Sequence, residues 1–328
     1  TATGRHDLAT GDGAIDLALD PIRFRKRGLQ PKDVIPALAS VPLTCVDARL
    51  EGGGRIAWGD GAGTAIGFRL RDAGFRTPWG RAEGAAADLR LDRLAPLRLP
   101  AGQHATVGRF ILDDKTPPLS DLDARFGWDR AGGVGLQQMA VDWSGAKIRV
   151  DRLRMAGGRR GAPAVLRIEG LDLARALAVA GIDGVTATGM VDGTVPFRIV
   201  GDAVVVENGV LATRGPGEIR YAADAAPQEI KTAAGQPGMD TLMTALQNFQ
   251  YQSLRATLDG RSDGEARVKL AVRGANPDLY GGFPIALNVD LSGALYVIAR
   301  RSMALAQIGD RVRDYYAQRL GRRTAPPC

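Results

Sequence analysis

Ala266-Arg267-Val268-Lys269-Leu270-Ala271-Val272-Arg273, followed by Ile285-Ala286-Leu287-Asn288-Val289-Asp290-Leu291, is the stretch that decides the fold. Apolar residues hold every second place. Successive side chains of a strand point to opposite faces, so each segment has one apolar and one polar side. The pattern recurs upstream. Ile66, Phe68 and Leu70 alternate with Gly67, Arg69 and Arg71, and Val195, Phe197 and Ile199 alternate with Pro196, Arg198 and Val200. Shorter pieces lie at Arg109–Leu112, Val141–Trp143 and Ile148–Val150. Strands of this kind build antiparallel sheet that is wet on one side. Gly52-Gly53-Gly54, Asp60-Gly61, Asn208-Gly209, Asp259-Gly260 and Asp263-Gly264 read as the turns between them.

Composition agrees. Glycine is abundant at 43 residues and aromatics are scarce at 5%, which suits many short strands. A charged fraction of 24% beside 45% apolar residues belongs to an ordered chain, not a disordered one. Helices are expected at Asp33–Ala39, Asp172–Ala180 and Asp240–Phe249. The longest runs over 295–320, with Leu295, Ile298, Ser302, Leu305, Gly309, Val312 and Tyr316 on one stripe. No run of about 18 apolar residues exists, so no helix is expected to span a membrane. The chain opens on Thr1-Ala2-Thr3-Gly4, and a targeting segment is expected upstream.

The net charge of +7 sits mostly in the tail. Arg300, Arg301, Arg311, Arg313, Arg319, Arg322 and Arg323 stand against only Asp310 and Asp314, which leaves five of the seven charges there. An anionic membrane surface suits such a tail as well as nucleic acid does, and no nucleic-acid partner is expected. The helix could equally pack its stripe on the sheet and solvate its arginines. Two cysteines, Cys45 and Cys328, are too few for a disulfide framework or a metal site, and their pairing is left open.

Aligning Asp33 with Asp172, an offset of 139, brings Leu38 onto Leu177, Val46 onto Val185, Ala48 onto Ala187, Gly54 onto Gly193 and Trp58 onto Phe197. An internal duplication follows. The expected organisation is the end of a preceding β-groove module at 1–28, one module at 29–169, a second at 170–294, and a helix with a basic tail at 295–328.

Chemistry-bearing patterns are sparse. His6 and His104 are isolated and read as surface residues among turns. Asp113-Asp114 and Asp121 with Asp123 read as solvated turn acids rather than a hydrolase dyad. Trp58, Trp79, Trp128 and Trp143 have no carboxylate cluster that would make them a sugar platform. Gly59-Asp60-Gly61-Ala62-Gly63 lacks the lysine and the following helix of a phosphate loop. No catalytic residue, metal site or cofactor is expected, and no enzyme.

Six segments in order carry a resemblance. They are Leu171–Ala174 with Ala187–Phe197, Asn208–Ala212, Gly215–Tyr221, Leu246–Tyr251 with Leu254, Gly274–Pro277 and Pro284–Val289. Together they are similar to the C-terminal part of YdbH-type proteins, within the AsmA-like group that includes TamB. Gly74–Gly80 and Leu94–Leu97 extend the likeness upstream. The resemblance implies an elongated, U-shaped antiparallel β-groove anchored in the inner membrane by an upstream helix. It also implies a periplasmic location and movement of phospholipid toward the outer membrane. A small outer-membrane lipoprotein is the implied partner, adding strands near the C-terminal end. The older label "dicarboxylate transport" finds no small-acid site in these residues. The expected lipid-lining set is Ile66, Phe68, Leu70, Ile148, Val150, Val195, Phe197, Ile199, Val268, Leu270, Val272, Ile285, Leu287, Val289 and Leu291. The expected membrane or partner contacts are Arg300, Arg301, Arg311, Arg313, Arg322 and Arg323. Two other architectures share the alternation: a closed β-sandwich acting as an envelope scaffold, and a carbohydrate-active enzyme on a β-scaffold.

Overall fold

The computed structural model describes residues 1–34, 43–60, 62–77, 80–94, 97–112, 116–129, 133–155, 162–180, 184–200, 203–222, 244–262 and 264–292. Among the described residues, eighteen strands form one sheet. They are β1 (Ala2–His6), β2 (Gly13–Phe24), β3 (Thr44–Trp58), β4 (Gly63–Thr77), β5 (Gly80–Leu91), β6 (Arg93–Leu94), β7 (Leu97–Ile111), β8 (Leu119–Asp129) and β9 (Gly133–Trp143) in the first half. The second half holds β10 (Ala146–Met155), β11 (Ala164–Asp172), β12 (Val185–Ala187), β13 (Met190–Val200), β14 (Ala203–Thr213), β15 (Gly217–Tyr221), β16 (Phe249–Arg261), β17 (Ala266–Ala275) and β18 (Ile285–Ser292). Each strand pairs antiparallel with the next in the chain, with three interruptions. Short β6, β12 and β15 extend the lines of β5, β13 and β14, so β5 also pairs β7, β11 pairs β13 and β14 pairs β16. The result is an open, curled meander, a β-groove. Among the described residues β1 pairs only β2 and β18 pairs only β17, so the sheet does not close into a barrel.

Bulges bend this sheet. Register shifts occur at Leu70/Ala73, Ser120/Asp123 and Val206/Gly209. A left-handed residue sits inside each: Asp72 (φ 50°), Asp121 (φ 50°) and Asn208 (φ 55°). Asp and Asn tolerate that conformation better than other side chains, and an extra residue in one strand increases local twist.

Three of the expected turns are strand interior. Gly52-Gly53-Gly54 lies in β3, Asn208-Gly209 in β14 and Asp259-Gly260 in β16. The triple glycine makes space. A Cβ on Gly52 would stand 2.7 Å from the Phe68 ring on β4, and one on Gly53 2.6 Å from the Leu17 carbonyl on β2. The same composition that marks a turn here lets neighbouring strands approach closely. Asp121 and Asp123 are likewise in β8, and His104 is in β7, not in turns.

Helix α1 (Pro31–Val34) begins two residues before the expected Asp33, and the rest of the expected span, residues 35–39, lies outside the described set. Helix α2 (Leu173–Ala180) matches its expected span. Asp172 caps it, its Oδ1 accepting the Arg175 N–H at 3.2 Å. Of the helix expected at Asp240–Phe249, residues 244–246 are helical, whereas Phe249 already opens β16. The expected helix over 295–320 and its arginines lie outside the described residues.

Two buried clusters anchor the sheet. One joins Phe24, Val46, Ala48, Ala73 and Ala85, with Ile22, Leu50, Leu70, Phe75 and Val107 against them. The other joins Ala187, Ile219, Phe249, Tyr251, Leu254 and Val272, with Leu173 and Leu177 of α2 packed on top. The aligned residues Val46/Ala48 and Val185/Ala187 fall in these two clusters, each behind the same strand–helix–strand order. The ladder runs unbroken from β2 to β3 and from β10 through β11 to β13, across positions 28/29 and 169/170. Cys45 is disulfide-bonded; the other cysteine of the sequence, Cys328, lies outside the described residues.

Candidate functional site

Directly opposite residues in an antiparallel pair share a face, so the register shows which side chains line up across the sheet. One row of opposed residues runs Ile22–Leu50–Leu70–Ala87–Ala105–Ala124–Met139–Val150–Leu166–Val195, crossing from β2 to β13. A second row runs Val141–Ile148–Ile168–Gly193–Leu211–Ala256–Leu270–Val289 and carries the face on to β18. The rows overlap on β9, β10, β11 and β13. At about 4.8 Å per strand, the apolar strip they trace is about 60 Å long.

Every strand-borne residue of the expected lining set belongs to this face. Phe68 and Ile66 sit opposite Leu89 and Leu91, and Phe197 opposite Ala164. Ile199 pairs Val204, Leu287 pairs Val272, Val268 pairs Leu291, and Ile285 pairs Gly274. The register also brings in residues that alternation did not single out: Leu50, Leu89, Met139, Leu166 and Leu254. Leu50 was hidden by the adjoining glycines, Leu89 by a run of alanines, and Leu254 by the register shift between Tyr251 and Ser253.

Burial separates a trough from a packed interior. Alanine is the commonest fully buried apolar residue, and Leu254 is the one buried leucine among the described residues. Phe68, Leu70, Phe197, Ile199, Leu270, Leu287 and Val289 remain half-buried. A closed sandwich would cover such side chains from a second sheet.

The second cluster borders the second row, its Leu254–Val272 pair lying beside Ala256–Leu270, and here Phe249 and Tyr251 are 0% and 1% exposed. The Tyr251 hydroxyl donates to the Thr188 carbonyl at 2.5 Å, and Gly189 and Gly217 leave the room it needs. Burial pushes the Tyr251 phenol above its usual 10.0. α2 lies over this end of the apolar face.

The opposite face is polar and laced with cross-strand ion pairs. Arg71 meets Asp88 and Arg149 meets Glu169, both at 2.7 Å. Asp192 is held by Arg214 Nε and Nη2 at 2.7 and 2.8 Å and by the Gly170 N–H at 2.8 Å. The Arg214 guanidinium keeps its carboxyl below the usual range. A hollow of about 280 Å³ beside this pair is lined by Arg167, Glu169, Asp192 and Thr194 and belongs to the same network.

The isolated candidates make local contacts only, with His6 Nδ1 also 3.1 Å from the Asp12 carbonyl. His104 Nε2 meets Asp123 Oδ2 at 2.7 Å on the polar face. The Trp58 Nε1–H donates to His6 Nδ1 at 3.2 Å. Trp143 donates to the Pro117 carbonyl at 3.2 Å. Trp79, Asp113, Asp114 and the C-terminal arginines lie outside the described residues. No group of three His, Cys, Asp or Glu side chains converges for a metal among the described residues, and no described helix is long and apolar enough to cross a membrane.

A family model described as "YdbH-like: Intermembrane phospholipid transport protein YdbH" matches residues 1–319. No curated protein and no solved structure matches the chain.

Proposed function

The chain belongs to the YdbH-like family, and from that premise we propose that it conducts phospholipid between two membranes along the apolar face. The observation that carries the proposal is the pair of apolar rows from β2 to β18, in which Leu50, Leu70, Met139, Leu166, Leu211, Leu270 and Val289 are only half-buried, while the described strands all belong to one sheet. Each methylene laid against such a face gains about 0.8 kcal/mol. One leaflet of hydrocarbon is about 15 Å thick, so a strip of about 60 Å holds several acyl chains in series. Apolar contact is non-directional, so lipid can slide along the face without a fixed polar site to release it. The polar outer face, stitched by ion pairs, keeps the same sheet wet on its other side.

The two aligned strand–helix–strand segments support a reading as two repeated modules within one sheet. The setting we assign is the periplasm, between inner and outer membranes, with an upstream inner-membrane anchor. Among the described residues β18 pairs only β17, and at its other edge a strand of a small outer-membrane lipoprotein would extend the groove.

The test is lipid carriage. The protein purified from cells, analysed by native mass spectrometry and lipid extraction, is expected to retain phospholipid. Phe68→Asp, Ile199→Asp and Val289→Asp, each confirmed as folded by its thermal transition, are expected to lose most of it. A folded wild-type protein that carries no lipid and takes up none from vesicles would return the chain to a scaffold role.

A further inference from the structure

The connection between β2 and β3 holds a concentration of charge that the trough does not explain. Arg25, Lys26, Arg27 and Lys32 are all exposed, and none has an ion-pair partner among the described residues. The acid beside them, Asp33, is engaged with the backbone, its Oδ2 accepting the Gln30 N–H at 2.9 Å. The described turn at residues 25–30 is held by hydrogen bonds. The Gln30 amide nitrogen donates to the carbonyls of Arg25 (2.6 Å) and Val46 (3.0 Å), and its Oε1 accepts the Val46 N–H at 2.9 Å. The Arg25 N–H closes the turn onto the Leu29 carbonyl at 3.3 Å. Cations on a fixed turn lose little further backbone freedom on binding.

Its place in the fold is specific. Phe24 and Val46, which flank the loop, are buried in the first cluster, against which Ile22, Leu50 and Leu70 of the trough pack. Leu29, Val34 and Leu43 stand 46%, 41% and 37% exposed beside the cations. A phospholipid with its acyl chains on Ile22, Leu50 and Leu70 would bring its phosphate toward the end of β2, where these cations follow in the chain.

We infer that the described turn over residues 25–34, with Arg25, Lys26, Arg27 and Lys32, is a headgroup site that holds the phosphate of an anionic phospholipid whose acyl chains occupy the adjoining trough; this rests on the proposed lipid conduction. Arginine and lysine give charge-assisted bonds to phosphate oxygens, and interleaved Leu and Val suit the boundary between headgroup and hydrocarbon. The described part of the loop has no exposed aromatic ring on which a nucleic-acid base could stack.

The test incubates the protein with vesicles of equal phosphatidylglycerol and phosphatidylethanolamine, re-isolates it and quantifies bound lipid by mass spectrometry. Wild type is expected to be several-fold enriched in phosphatidylglycerol. The combined Arg25→Gln, Lys26→Gln, Arg27→Gln and Lys32→Gln variant is expected to bind as much lipid in total but at the vesicle ratio. Excess inorganic phosphate is expected to leave the wild-type enrichment in place, because free phosphate has no acyl chains; abolition by phosphate would assign the loop to free anions and overturn the inference. Wild-type enrichment retained by the quadruple variant would also overturn it, and would leave the trough untouched. Absence of any lipid on the wild type would overturn both readings.

Discussion

Tyr251 shows how much one side chain holds in a sheet with few buried large residues. Its hydroxyl satisfies the Thr188 carbonyl where β12 breaks before β13. Tyr251→Phe is expected to cost about 1–2 kcal/mol in urea unfolding, the price of leaving that carbonyl unmet. The phenol's folded pKa is raised by burial. A raised pKa contributes stability that is fully present below the unfolded value near 10 and is lost as pH rises through the folded one. Alkaline unfolding above about pH 10 is therefore expected to be shallower in Tyr251→Phe than in wild type, read by circular dichroism. Gly53→Ala is expected to destabilise by about 1–3 kcal/mol, since its Cβ would press on the Leu17 carbonyl. None of this was legible in the sequence. Gly53 looks like a turn residue and Tyr251 like one more strand aromatic, because close approach between strands leaves no local signature.

Elements were read more faithfully where a local rule governs them. α2 begins where its capping aspartate says it should, and Asp172→Ala is expected to lower stability by about 1 kcal/mol. The strands at 266–273 and 285–292 needed only their alternation. Bulges defeated the same reasoning elsewhere. Leu70 and Ala73 are three apart yet share a face, because Asp72 adopts a left-handed conformation between them. Alternation counted past that point would place Phe75 on the wrong side. Asp72→Gly is expected to be tolerated or mildly stabilising in thermal unfolding, since glycine adopts that conformation freely, while Asp72→Val is expected to lower the transition.

At the scale of the whole molecule, each strand's apolar face could be read from sequence, but not that all of them coincide. Coincidence depends on registers such as Leu50 on Leu70 and Leu211 on Ala256, which join residues 20 or more positions apart. Whether the face is covered depends on side chains being half-buried, and composition is silent on that. The family resemblance supplied the groove in advance; the register supplies its continuity. The central claim is that continuity, and photo-crosslinking along the chain in living cells tests it most directly. A photoreactive residue at Phe68, Met139, Phe197 or Val289 is predicted to capture phospholipid, whereas one at the neighbouring Arg69, Gln138, Arg198 or Asp290 captures none. Equal capture on both faces, or capture confined to one end of the sheet, would contradict a continuous lipid path.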